Sequence, residues 1–461
     1  MSPKKLLALS AVVVALFAFI LLFERKMPTT EERSRKGDLY WDIPQEQVQR
    51  IEISRGPEAL EFQRAGEAGW RMVRPEKSPA DTFAVGSLLT ELAEMKRAGG
   101  DDLTDAKASD YGFDKPAAKA TIVWNDGGDP KNAKTRTIEF GAAIPGTDVV
   151  AARVEGSPKI LFVPSAVLES VKKNADDFES REVFGGSAAD ATRLEVLRGR
   201  GKLAFAKKDG AWWLAEPMSD FADGAEVDRF TSALSGLRVR EFLHGTQDLA
   251  ALGLDPPLFH VALTGSRNAV TAVDFGATRS DGNTLYARRE GQILTVDHDV
   301  ADELSKEAEA FRSRTVLGFR RSDVVGVDAV FPKGSYALAQ KDGGWTADGK
   351  PILAASADDA LTALLDVKSK DFLDDAQVKG LGPAAATVTV RLKSGPPWVL
   401  TLFPAGPGLV ARAAPRPGGF AVDADTTEKL ASAFRKASTP PAAPTPTAAS
   451  TKPTEAVSRK P

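Results

Sequence analysis

A single feature limits this chain of 461 residues more than any other: it repeats itself three times. A strand running from Trp to Pro, an amphipathic stretch, a Gly-Φ-Asp-x-Pro corner (Φ is Phe or Leu), a Phe-Gly strand end and an Ala-Arg strand recur in that order. The first pass reads Trp70 to Pro75, Gly112-Phe113-Asp114-Lys115-Pro116, Phe140-Gly141 and Ala152-Arg153. The second reads Trp212 to Pro217, Gly253-Leu254-Asp255-Pro256-Pro257, Phe275-Gly276 and Ala287-Arg288. The third is worn: Trp345, Pro351, Gly380-Leu381-Gly382-Pro383, Phe403-Pro404 and Ala411-Arg412. The tryptophans stand 142 and 133 residues apart, so each copy is long enough to fold around its own core. Trp, Gly, Pro and Phe fill cores and shape corners. The recurrence therefore predicts a structural array in which repeated positions serve folding rather than reaction.

Within a copy the apolar period changes from two to about 3.6 and back. Ile51 and Ile53 alternate with Glu52 and Ser54, Leu60 and Phe62 with Glu61 and Gln63, and Trp70 and Met72 continue the pattern. These predict three half-buried strands with turns at Arg55-Gly56-Pro57 and, in the second copy, Lys208-Asp209-Gly210. Val85, Leu88, Leu89, Leu92 and Met95, like Val227, Phe230, Leu234 and Leu237, place one apolar stripe on a helix of about four turns. Further strands come after the corner, and a second helix closes each copy, with Ser165 and Asp299 as expected caps. The expected fold class is α+β: an N-terminal transmembrane helix, then three tandem repeats, each a mostly antiparallel sheet with two helices.

Leu6 to Phe23 is an apolar run broken only by Ser10 and preceded by Lys4 and Lys5. As a helix its 18 residues span about 27 Å, close to the ~30 Å hydrocarbon core of a bilayer. No small-x-small cleavage site comes after it, so residues 6–23 are expected to stay as a signal anchor in the cytoplasmic membrane, after a cytoplasmic stub at 1–5. Basic residues are more numerous after the span than before it, which alone favours the opposite topology. The short Lys-pair leader is nevertheless that of an anchor that exports the rest of its chain, and the body is expected on the extracytoplasmic, periplasmic side. Aromatics at Trp41, Phe184 and Phe319 open each copy. The resulting division is a polar stalk at 24–40, modules at 41–181, 182–316 and 317–438, and a disordered Pro/Ala/Thr-rich tail at 439–461.

Composition excludes several chemistries. With 60 basic and 63 acidic residues there is no basic stripe for nucleic acid, and the absence of cysteine removes disulfides, thiolate nucleophiles and thiolate metal sites. Asp114 and Asp255 are the recurring carboxylates, but a preceding Gly-Φ step and a following Pro make them corner residues. His244, His260 and His298 have no equivalents in the other copies and no ligand spacing, while Gly-x-Ser-x-Gly and phosphate-loop motifs are missing. No catalytic residue, metal or cofactor is therefore expected. The candidate interaction surface is Trp213 with Arg153, Arg288 and Arg412. The arginines read as a ligand face, a solvated strand face or structural ion pairs. Trp213 points away from Trp212 and is either covered by a neighbouring module or an exposed contact residue.

Leu22-Phe23-Glu24-Arg25 at the end of the anchor, Val48-Gln49-Arg50-Ile51-Glu52-Ile53, Gly69-Trp70-Arg71-Met72-Val73-Arg74-Pro75 and the Gly253 to Pro257 corner resemble a family of bacterial envelope proteins, the domain of unknown function 4340. The resemblance is strong over residues 5–320 and weak in the third copy. It implies a membrane-anchored protein that accompanies ABC-type transporters, including gliding-motility systems, and supplies no catalytic residues. The expectation is a non-enzymatic accessory or scaffold bound to membrane-protein partners such as transporter subunits. The rival expectations are an envelope enzyme acting on glycan or peptide, its polar pocket gathering carboxylates or histidines from two copies, and a lipid-binding module with an apolar cavity.

Overall fold

The computed structural model describes residues 39–439, apart from 67–68, 100 and 189. The expected anchor at 6–23, most of the stalk and nearly all of the tail lie outside the described residues. Among the described residues no helix is long and apolar enough to cross a membrane. Strand exceeds helix by 45% to 24%, and all four sheets are antiparallel. This corrects the expected α+β class led by a membrane helix: the described molecule is mostly β, with helices laid on the sheets. Long strands such as Ala133–Ala143 and Val270–Thr278 supply most of the excess, and short strands such as Ser78–Pro79, Glu94–Lys96, Asp220–Phe221 and Lys350–Ile352 add to it. Two to three residues carry no alternation to read.

Contacts gather the chain into two compact units. The first takes the described residues up to Val183 together with Arg238–Asp248 and Tyr286–Val296; the second takes Phe184–Leu237, Leu249–Leu285 and the residues from Asp297 on.

In the first unit Val48–Arg55 and Ala118–Asn125 pair at the centre of an eight-stranded sheet. Glu58–Arg64, Trp70–Arg74 and Ser78–Pro79 lead out on one side; Ala133–Ala143, Val149–Val154 and Leu161–Pro164 lead out on the other. The register sets Ile51 opposite both Phe62 and Ile122, so one face is continuously apolar. Helices Thr82–Ala93 and Ser165–Lys172 cover it with Val85, Leu88, Leu89 and Leu92, and with Val167, Leu168 and Val171, all buried in one core. Each large side chain removed from water there contributes about 1.5–3 kcal/mol.

The same plan recurs in the second unit. Ala191–Arg198 lies between Gly201–Lys208 and Phe259–Gly265, and Val324–Phe331 lies between Gly334–Lys341 and Ala386–Leu392. Asp371–Leu373, the strand after the third copy's long helix, closes the far edge of its sheet against Gly419–Val422. Its counterpart in the first copy, Glu94–Lys96, pairs with Leu39–Asp42 instead.

The expected caps are corrected. Ser165 and Asp299 are the first residues inside their helices, and no side chain caps either one. Capping falls instead to Asp81 and Asp223 at the long helices. Asp81 Oδ1 accepts from the Phe83 and Ala84 amides at 2.9 Å, and Asp223 accepts from Ala225 and Glu226.

The repeated corner and the repeated Phe-Gly strand end are two halves of one contact. A Cβ on Gly141 would stand 2.1 Å from the Tyr111 carbonyl oxygen, and one on Gly276 would stand 2.2 Å from that of Leu252. Only glycine lets the corner backbone approach so closely. Phe113 and Leu254 are buried beside these contacts. In the worn third copy Pro404 replaces the strand-end glycine, and Gly380 and Gly382 have open space around them.

Candidate functional site

The repeated residues do not converge on one polar site within either unit. Trp70 belongs to the first core and Trp212 is 5% exposed. Their cross-strand partners, Arg64 and Lys207, lay cations over the indole rings at 4.7 and 4.6 Å. Trp345 faces Gln340 instead and is only half-buried. Asp114 and Asp255 are exposed at their corners.

The candidate surface residues have different surroundings. Arg153 Nε meets Glu139 Oε2 at 2.5 Å, and its guanidinium lies over Phe113. Arg412 is exposed opposite Thr401, and Arg288 is half-buried. Trp213 packs its ring at a tilt against Phe221 at 4.4 Å, and Phe221 continues to Trp398 at 5.6 Å, so an aromatic run joins residues of the second and third copies inside the second unit.

The strongest convergence of reactive groups lies in the first unit, among residues that do not repeat. Asn174 opens a short turn, its amide donating to Asp177 Oδ2 at 2.8 Å. Phe178, fully buried against Phe62, pins the chain, and Glu179 bridges to Ala80. His244 comes directly after strand Glu241–Leu243. Its Nε2 stands 2.8 Å from Asp176 Oδ1, and one ligand-capable atom from each of Asp176, Glu179 and His244 lies within 4.8 Å of the others. Asp176 and His244 line an open cleft of about 520 Å³, together with Arg55, Pro57, Leu60 and Arg74.

Glu179 is 3% exposed. Oε1 accepts from Ser78 Oγ at 3.2 Å, while Oε2 is buried without a hydrogen-bond partner. Burial pushes its carboxyl above the ordinary carboxylate range, and His244 and Ser78 only partly offset that. Burial acts against a charge on His244, but Asp176, Glu179 and Glu76 outweigh it and hold the imidazole above its usual value. Two carboxylates and an imidazole form a donor set for a divalent transition metal, and equally for proton exchange.

Two buried arginines show how the copies are tied together locally. Arg289 donates to the Ser180 and Glu182 carbonyls and to Gln292 Oε1. In the second unit Arg416 donates to the carbonyls of Ser313 and Thr315, 133 residues after Ser180 and Glu182. There Asp220, 1% exposed, holds Arg312 at 2.8 Å and Arg416 at 2.6 Å. Sequence reasoning missed these groups, although Phe178-Glu179-Ser180-Arg181 and Phe311-Arg312-Ser313-Arg314 were a recurrence open to detection.

The comparisons agree with the repeat. The model of the domain of unknown function family DUF4340 matches residues 70–257 and again 212–385, each match starting at a repeat tryptophan. The two matches cover most of the chain, which belongs to this family. No curated protein matches. Among solved structures, a DNA polymerase sliding clamp from Pseudomonas aeruginosa with ligand aligns over 85% of this chain and 95% of its own at 6% identity, with a TM-score of 0.14. A likeness at that level carries no argument.

Proposed function

We propose that this protein is a non-enzymatic envelope component. Residues 6–23 tether it to the cytoplasmic membrane, and its repeats work on the extracytoplasmic side as an accessory or scaffold of an ABC-type transport or surface-export system. It acts by contact, with the tether raising its local concentration beside a membrane partner. One observation carries this reading: in the first two copies the repeated tryptophans and the corner and strand-end glycines serve cores and close backbone contacts, and the recurring aspartates stand exposed at corners. A repeated investment in packing suits a surface for recognition better than a reaction centre.

A second reading, an envelope enzyme acting on glycan or peptide, draws on the Asp176, Glu179 and His244 cluster, whose carboxylates come from the first copy and whose histidine comes from the second. Crosslinking in the intact envelope, with identification of the captured proteins, separates the two. The accessory reading expects transporter subunits. Turnover of an envelope polymer by the purified protein, abolished by Glu179→Gln, would replace it with the enzyme.

A further inference from the structure

We propose that Asp176, Glu179 and His244 form a binding site for a divalent first-row transition cation, with zinc the best match to the donor set. The site goes beyond the scaffold reading and does not depend on it.

The decisive side chain is Glu179. A carboxylate almost wholly withdrawn from water normally has every lone pair engaged, because an unpaired buried polar atom is costly. Here Ser78 satisfies one oxygen and nothing satisfies the other. Arg289 acts on Glu179 as a permanent cation, but its two Nη atoms are directed at Ser180, Glu182 and Gln292, and neither its Nε nor Glu179 Oε2 has a hydrogen-bond partner. The corresponding place in the second unit shows what a closed version looks like. Arg312 occupies the position of Glu179 and Asp220 that of Ser78, and the ion pair between them is complete at 2.8 Å. In the first copy Glu179 is left with an open valence beside an imidazole and a second carboxylate.

Ligand type sets the class of ion. An imidazole nitrogen with two carboxylate oxygens suits zinc and its neighbours better than magnesium or calcium, which prefer all-oxygen shells. Ligand atoms on a tetrahedral zinc stand roughly 3.3 Å apart. The three groups already lie within 4.8 Å, and Asp176 and His244, 50% and 43% exposed at the side chain, are free to close the remainder. Binding replaces the hydrogen bond between them with two metal bonds. The open cleft leaves a coordination position for water or for a group on a partner.

The test uses full-length protein in detergent, stripped with chelator and titrated with zinc in competition with a chromophoric zinc chelator. One zinc per chain is expected, and Asp176→Asn, His244→Gln and Glu179→Gln should each weaken binding at least tenfold. If Glu179→Gln fails to fold, the other two variants decide, since both alter half-exposed side chains. Absence of stoichiometric zinc would overturn the site. So would uptake unchanged in Asp176→Asn and His244→Gln, or magnesium bound through the same residues as tightly as zinc.

Discussion

Gly276 shows how much structure one missing methyl group controls. Its Cβ position is filled by the Leu252 carbonyl oxygen at 2.2 Å, so Gly276→Ala must push strand end and corner apart. We expect a loss of roughly 1–3 kcal/mol, the range for forced overpacking, measured by urea denaturation. Gly380→Ala in the third copy meets nothing within 4 Å and should fall within about 0.5 kcal/mol of the wild type. Equal effects at the two glycines would contradict the docking of corner on strand end. The Gly-Φ-Asp-x-Pro and Phe-Gly motifs were both legible as repeated words. Their mutual contact was not, because residues 252 and 276 meet only through the pairing that brings the strand end beside the corner. The same holds for His244 and Glu179, which lie 65 residues apart with no motif linking them.

At the scale of elements, buried charge decides which segments are fixed. Asp220, in the short strand Asp220–Phe221, pairs with both Arg312 and Arg416, and the two guanidiniums lie over Phe372 and Phe420 at 4.2 and 4.5 Å. Asp220→Ala leaves both arginines uncompensated in a low-dielectric setting and should cost about 3–5 kcal/mol in the same denaturation experiment. A cost below about 1 kcal/mol would mean that the knot is hydrated and unimportant. Apolar periodicity revealed the central strands and the long helices, since Ile51, Ile53, Val85 and Leu88 each mark a buried face. It could not reveal a two-residue strand such as Asp220–Phe221, which an ion pair holds. Ser165 and Asp299 stand at helix starts, but Asp81 and Asp223 have their oxygens turned onto open amides.

Across the whole molecule, carboxylates on strand faces and in loops are tied to bases. Burial alone would lift Glu61, Glu139, Glu195 and Asp102. Gln63 and Arg74, Lys119 and Arg153, Arg193 and Lys202, and Lys159 and Tyr40 respectively outweigh it and hold each carboxyl below its usual range. A depressed folded-state pKa gives stability that is present above the unfolded carboxyl value and lost as pH falls through the folded one. Thermal midpoints should therefore drop as pH falls below about 4.5, while Glu179 and His244, held above their usual values, add the opposite slope above that range, a slow loss of stability as pH rises towards neutrality. A rise in stability on acidification below about pH 4.5 would contradict these pairings. Replacing Asp114 and Asp255 together by Asn provides the most direct measurement, because these are the recurring carboxylates and both are exposed. Crosslinked partner yield in the intact envelope and the thermal midpoint should both match the wild type. A partner yield that collapses while the midpoint holds would show that the repeat carries recognition or chemistry of its own, and that its shared positions are more than a folding pattern.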